Sequence, residues 1–153
     1  MGQGTWRILV LCTGNSARSQ MAEGFLRVLG GGRVEAHSAG SEAADRVNPL
    51  AVRAMAEAGI DISAQQPKDL GVYDDQEFDL VITVCDNARQ SCPMFLGARE
   101  NVHWSLEDPA AAEGSDDERL AVFRAIRDEI RRRVEHLIET GEALNDEGDP
   151  VQL

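Results

Sequence analysis

Two short and almost wholly apolar runs constrain this chain more than anything else in it. Arg7-Ile8-Leu9-Val10-Leu11 and Phe78-Asp79-Leu80-Val81-Ile82-Thr83-Val84 are short for helices and too apolar for strands with one wet face. Such runs suit the interior of a parallel sheet covered on both sides. Parallel strands need crossovers, and segments of helical period lie where crossovers belong. Met21, Phe25, Leu26 and Leu29 recur at helical spacing from near Ser19 until Gly30-Gly31-Gly32 ends the run. Asn48-Pro49 opens a second helix with Leu50, Val52, Met55 and Ala56, closed by Gly59. A third, from about Asp116 to Thr140, sets Leu120, Phe123, Ile126, Ile130, Val134, Leu137 and Ile138 on one face. Val34–Ala39 alternates as a strand does, and Asn101–Trp104 reads as a short fourth strand. The expected fold is α/β: one domain over residues 1–140, a three-layer sandwich with a four-stranded parallel sheet flanked by helices. Residues 141–153 are acidic and broken by Gly and Pro, and are expected to be a flexible tail.

Charge narrows the function. Among 153 residues, Lys and Arg number 15 against 27 Asp and Glu, a net charge of −12. That balance disfavours nucleic acid and anionic membrane as partners. No run approaches a membrane span, and Met1–Trp6 lacks the basic and apolar parts of a leader. A cytoplasmic monomer with reduced thiols is expected. Three cysteines are too few for a disulfide scaffold, and in a reducing compartment they point to chemistry. Cys85 and Cys92 with scattered His37, His103 and His136 match no zinc pattern, so no metal site is expected.

The stretch Cys12-Thr13-Gly14-Asn15-Ser16-Ala17-Arg18-Ser19 falls between the first strand and the first helix. A loop there lies at the carboxyl edge of the sheet, where open α/β folds bind ligands. Its converging N–H groups and the helix N-terminus favour an anion. They also favour the Cys12 thiolate, which would sit beneath that anion. Arg18 offers a planar fork of donors to a tetrahedral oxyanion, Ser19 a hydroxyl to the thiolate, and Gly14 the backbone freedom that a tight loop needs. An isolated C-x5-R would more often be a buried structural cysteine near a surface arginine; the strand–loop–helix setting and the following serine favour the site.

This stretch resembles the signature loop of the low-molecular-weight protein tyrosine phosphatase superfamily. Extended through Gln20-Met21-Ala22-Glu23-Gly24, it more specifically resembles the start of the thioredoxin-coupled arsenate reductases. The similarity continues in Ser38-Ala39-Gly40, Val47-Asn48-Pro49, Gly59–Ser63, Cys85 and Cys92, His103-Trp104, Asp108-Pro109-Ala110 and Arg127–Ile130. It implies that residues 13–19 bind arsenate, that Cys12 is the nucleophile and that Asp108 is the general acid. It also implies that Cys85 and Cys92 complete a three-thiol relay ending in a Cys85–Cys92 disulfide, which thioredoxin reduces. No organic cofactor is implied.

The residues themselves leave room for other outcomes. A phosphatase would need Cys12, Arg18 and Asp108 but neither later cysteine, and a redox-sensing or oxyanion-binding module would need no turnover. Were residues 85–92 helical, the two Cα atoms would stand about 10 Å apart, beyond the roughly 7 Å a disulfide spans. Pairing them would then unwind or refold the segment 85–95. Ala110, where the tyrosine phosphatases typically carry an aromatic, suits a small inorganic oxyanion. Some relatives have cysteine at the place of Ala17, which is outside the relay. Some bind potassium through residues matching Asn15, Glu23, Ser38 and an aspartate. Here Lys68 stands at that aspartate's place, beside Asp69, and potassium is not expected to be required.

Overall fold

The computed structural model describes residues 5–84, 95–146 and 148–153. Cys85, Cys92 and most of the segment expected to switch with redox state lie outside the described residues.

Strands β1 (Trp6–Cys12), β2 (Val34–Gly40), β3 (Phe78–Thr83) and β4 (Ala98–His103) form one parallel sheet in the order β2-β1-β3-β4. Helices α1 (Arg18–Gly30), α2 (Pro49–Glu57) and α3 (Asp116–Thr140) complete the α/β fold. Strand parity divides the core. Ile8, Val10, Leu80 and Ile82 join α1, α2 and α3 in the larger cluster. Leu9, Leu11 and Val81 point the other way, into a smaller cluster with Tyr73, Phe78, Ala39, Leu70 and Phe95. β4 starts three residues earlier than its apolar signature. It is an edge strand whose Arg99, Glu100 and Asn101 are exposed, so its first half carries no burial pattern.

The helix ends follow local chemistry. Asn48 caps α2 by accepting the Leu50 N–H at 2.9 Å, with Pro49 in the first turn. Ser115 and Glu118 close a reciprocal capping box on α3, each accepting the other's backbone N–H at 3.1 Å. That bond holds the Glu118 carboxyl below its ordinary value. α3 stops at Gly141, which takes the left-handed φ of 74° and returns its N–H to Leu137.

Residues 141–153 differ from the expected frayed tail. Glu142–Leu144 (β5) and Pro150–Gln152 (β6) pair as an antiparallel hairpin. Ala143 is fully buried, Val151 and Leu153 pack against the main core, and the Leu153 N–H returns to the Gly141 carbonyl. Acidic and turn-forming residues concentrate in the connection between the strands, so composition hid three apolar anchors.

Topology fixes where chemistry can occur. The chain leaves β1 for β2 on one side, then returns to build β3 and β4 on the other. The crevice at this reversal opens at the carboxyl ends of β1 and β3, and Cys12 is the last residue of β1. Among the described residues no helix is long and apolar enough to cross a membrane.

Candidate active site

The loop after β1 is held from outside by its carbonyls. Thr13, Gly14 and Ser16 accept the N–H groups of Glu42, Ala44 and Asn48 at 2.9, 2.8 and 2.8 Å. In a planar trans peptide the next N–H points opposite its carbonyl. The N–H groups of Gly14, Asn15 and Ala17 are therefore turned inward. That of Asn15 reaches the Cys12 sulfur at 3.0 Å, which fixes the direction in which the cradle faces.

Cys12 is buried, and its Sγ also lies 2.9 Å from the Ser19 hydroxyl. The Asn15 side-chain amide donates to that hydroxyl at 2.8 Å, which leaves the serine proton free to point at sulfur. A thiol at this place has two donors for its anionic form, plus the N-terminus of α1 beginning at Arg18.

Asn15 is the hub of the loop. Its amide nitrogen also donates to Ser38 Oγ at 2.9 Å, while its Oδ1 accepts the Lys68 N–H at 2.8 Å and the Gln20 amide at 3.1 Å. It is the one non-glycine among the described residues with positive φ, at 50°. Gly14, expected to supply that freedom, is not left-handed. The left-handed turn falls one residue later, on a side chain whose own hydrogen bonds compensate the strain. Glycine is instead required at Gly40, where a Cβ would lie 2.4 Å from the Thr13 carbonyl oxygen.

The buried network continues from Ser38, which donates to Glu23 Oε1 at 2.6 Å. Lys68 Nζ stands 3.7 Å from the same carboxylate oxygen and donates to the Gln66 carbonyl at 3.1 Å. A lysine cation thus faces the Glu23 carboxylate that closes this buried network.

Arg18 and Asp108 meet across the crevice. Arg18 is 3% exposed and donates to the Leu106 carbonyl at 2.9 Å. Its other terminal nitrogen lies 3.8 Å from Asp108 Oδ2. Asp108 accepts the Ala110 N–H at 3.0 Å on Oδ1 and caps the short turn Pro109–Ala111. One carboxylate oxygen is thus occupied by the backbone, and the other faces the arginine. Ala110 is exposed, and Trp104 is fully buried with its indole N–H on the Leu144 carbonyl, so it serves packing. Cys85 and Cys92 lie outside the described residues, but Val84 does not: its N–H donates to the Leu11 carbonyl at 2.8 Å.

The sequence reading missed the Leu106 anchor of Arg18 and the reach of Asn15 to Lys68. Both join residues tens of positions apart, and no local pattern signals them.

Comparison with known proteins places this geometry. The family model for low molecular weight phosphotyrosine protein phosphatase matches residues 7–149. An arsenate reductase of Halalkalibacterium halodurans is 50% identical over 134 residues, 88% of this chain and 96% of that protein. A glutaredoxin arsenate reductase of Synechocystis sp. is 38% identical over 132 residues, 86% of this chain and 95% of that protein. The solved structure of an arsenate reductase in its phosphate-binding state matches with a TM-score of 0.74 at 38% identity, covering 88% of this chain and 98% of that one. A thioredoxin-dependent arsenate reductase of Corynebacterium glutamicum matches with a TM-score of 0.66 at 28% identity, over 92% of this chain and 63% of that one. The chain belongs to the low molecular weight phosphotyrosine protein phosphatase family and, within it, to the arsenate reductases.

Proposed function

We propose that this protein reduces arsenate to arsenite through Cys12, Cys85 and Cys92, with thioredoxin as the dithiol that resets it. The observation that carries the proposal is the buried Cys12 sulfur, with two hydrogen-bond donors, at the foot of inward-turned amides. A tetrahedral oxyanion fits that cradle, with Arg18 as its charged donor.

The Cys12 thiolate attacks arsenic, and Asp108 gives a proton to the departing oxygen, which leaves as water. The Cys85 thiolate then attacks the Cys12 sulfur. The sulfur–arsenic bond breaks, its electron pair stays on arsenic, and arsenite leaves with arsenic reduced by two electrons. A Cys12–Cys85 disulfide holds the matching oxidation. Cys92 attacks Cys85, frees the Cys12 thiolate and moves the disulfide to Cys85–Cys92. An external dithiol takes up that oxidation. The bond from Val84 to Leu11 supports the second step, because Cys85 and Cys12 are the residues that follow those two.

Thioredoxin is preferred over a glutaredoxin system on the resemblance to the thioredoxin-coupled arsenate reductases. The Corynebacterium neighbour is thioredoxin-dependent, and the Synechocystis relative is a glutaredoxin enzyme. Cys12, Arg18 and Asp108 would also support weak phosphomonoester hydrolysis. Potassium has no required role in the proposal, since Lys68 already faces Glu23.

The test is multiple-turnover arsenite formation with thioredoxin, thioredoxin reductase and NADPH, run beside glutaredoxin with glutathione. Sustained turnover with the first system supports the reading. No arsenite with either would overturn it, and turnover with glutaredoxin alone would overturn the choice of reductant.

A further inference from the structure

The loop that carries Asp108 is tied down residue by residue. Trp104 donates its indole N–H to the Leu144 carbonyl at 2.9 Å. Ser105 donates its backbone N–H to Asp146 Oδ1 at 2.8 Å. Leu106 gives its carbonyl to Arg18 at 2.9 Å, and two residues later Asp108 Oδ2 lies 3.8 Å from the same arginine. Two of these three ties come from the C-terminal hairpin.

We propose that Asp146, in the β5–β6 connection, is a positioning residue for the acid loop. It acts through Ser105 to hold Asp108 at its working distance from Arg18 and the bound oxyanion. The hairpin is built to aim that carboxylate. Ala143 is fully buried and Leu153 returns its N–H to Gly141, so both ends of the hairpin are fixed to the body. At the turn, Asn145 donates its N–H to the Asp149 carbonyl, and Asn145 Oδ1 accepts the Asp149 N–H at 2.9 Å. His103 Nε2 and Arg133 Nη1 flank the Asp146 carboxylate at 3.9 and 3.8 Å, so it is held from the α3 and β4 sides as well. The angular demand of proton delivery makes such a strap matter: a small displacement of a catalytic group costs far more rate than binding.

The inference rests on the reading of Asp108 as the acid, and its test separates the two. Hydrogen exchange at residues 105–110 is compared between the wild-type protein and Asp146→Ala, both reduced and without substrate. Faster exchange there, with α1 unchanged, is the expected result. Unchanged exchange at 105–110 overturns the strap whatever the activity. In turnover assays, Asp146→Ala should lower kcat about tenfold and change KM by less than about twofold. Asp146→Asn keeps an accepting oxygen and should restore kcat. In an Asp108→Asn background, Asp146→Ala should cost no further rate, because its effect passes through the acid. An equal loss in both backgrounds, or no rescue by asparagine, contradicts the proposal. Should Asp146→Ala fail to fold, Asp146→Glu displaces the oxygen by one methylene and carries the same expectations. If wild-type protein forms no arsenite, the functional reading fails while the exchange result still decides the strap.

Discussion

The backbone N–H of Val84 donates to the carbonyl of Leu11 at 2.8 Å, so β3 and β1 stay paired up to the residues that precede Cys85 and Cys12. This pairing supports the second step of the proposed relay, because the two adjacent parallel strands end at one edge of the sheet. Cys85→Ser should therefore form the Cys12–arsenic adduct and release no arsenite, while Cys12 keeps its reactivity to iodoacetamide. Arsenic speciation and alkylation rate together check this, and arsenite release at the wild-type rate would contradict it.

Ser19 Oγ lies 2.9 Å from Cys12 Sγ, and Asn15 occupies its acceptor side. Removing a hydrogen bond to a charged group costs about 1.5–3 kcal/mol. Ser19→Ala should slow alkylation of Cys12 at neutral pH by about tenfold or more. An unchanged alkylation rate would show that the hydroxyl does not donate to the thiolate.

Gly40 and Thr13 approach so closely that a Cβ at residue 40 would lie 2.4 Å from the Thr13 oxygen. Gly40→Ala must push β2 off the loop or tilt the 13–14 peptide out of the cradle. A loss of about 1–3 kcal/mol in stability is expected, as for other forced overpacking, along with weaker arsenate binding. A denaturant melt and a binding titration measure the two effects separately.

How much of this was readable beforehand divides along physical lines. β1 and β3 were legible because burial on both faces leaves a continuous apolar run. Arg18 and Asp108, which the structure sets 3.8 Å apart, were singled out by family resemblance and not by any local pattern joining them. The left-handed residue was misplaced at Gly14, because a glycine is the default for positive φ and nothing local reveals that Asn15 compensates the strain with its own side chain. The hairpin was hidden because its anchoring residues Ala143, Val151 and Leu153 are few and lie among acidic and turn residues. The pairing of Leu106 with Arg18 is 88 positions long-range, and no window of sequence contains it.

Lys68 Nζ faces Glu23 at 3.7 Å, so potassium should add little to the stability of this chain. Melting curves in potassium and in sodium chloride at equal ionic strength are expected to coincide. Lys68→Asp removes the competing cation and should make the melting temperature respond to potassium. A large potassium-specific rise in the wild-type protein would contradict the account.

Glu57 joins α2 to α3 through Arg124 at 2.7 Å and Arg127 at 3.3 Å, and the hydrogen bond to Arg124 chiefly pulls its carboxyl from 4.5 to about 2. A carboxylate lowered in the folded state stabilises it fully above the unfolded value and loses that contribution as pH falls through the folded one. Glu57→Gln should melt below the wild type near neutral pH. The gap should narrow below pH 4.5, close near pH 2, and shrink in high salt. An unchanged gap across that window would rule out the ion pair as its source.

The relay itself is tested most directly by Cys92→Ser under single- and multiple-turnover conditions with thioredoxin, thioredoxin reductase and NADPH. The account predicts one equivalent of arsenite per protein, then a stall, with peptide mapping finding a Cys12–Cys85 disulfide. Continued thioredoxin-driven arsenite formation by that variant at the wild-type rate would contradict it.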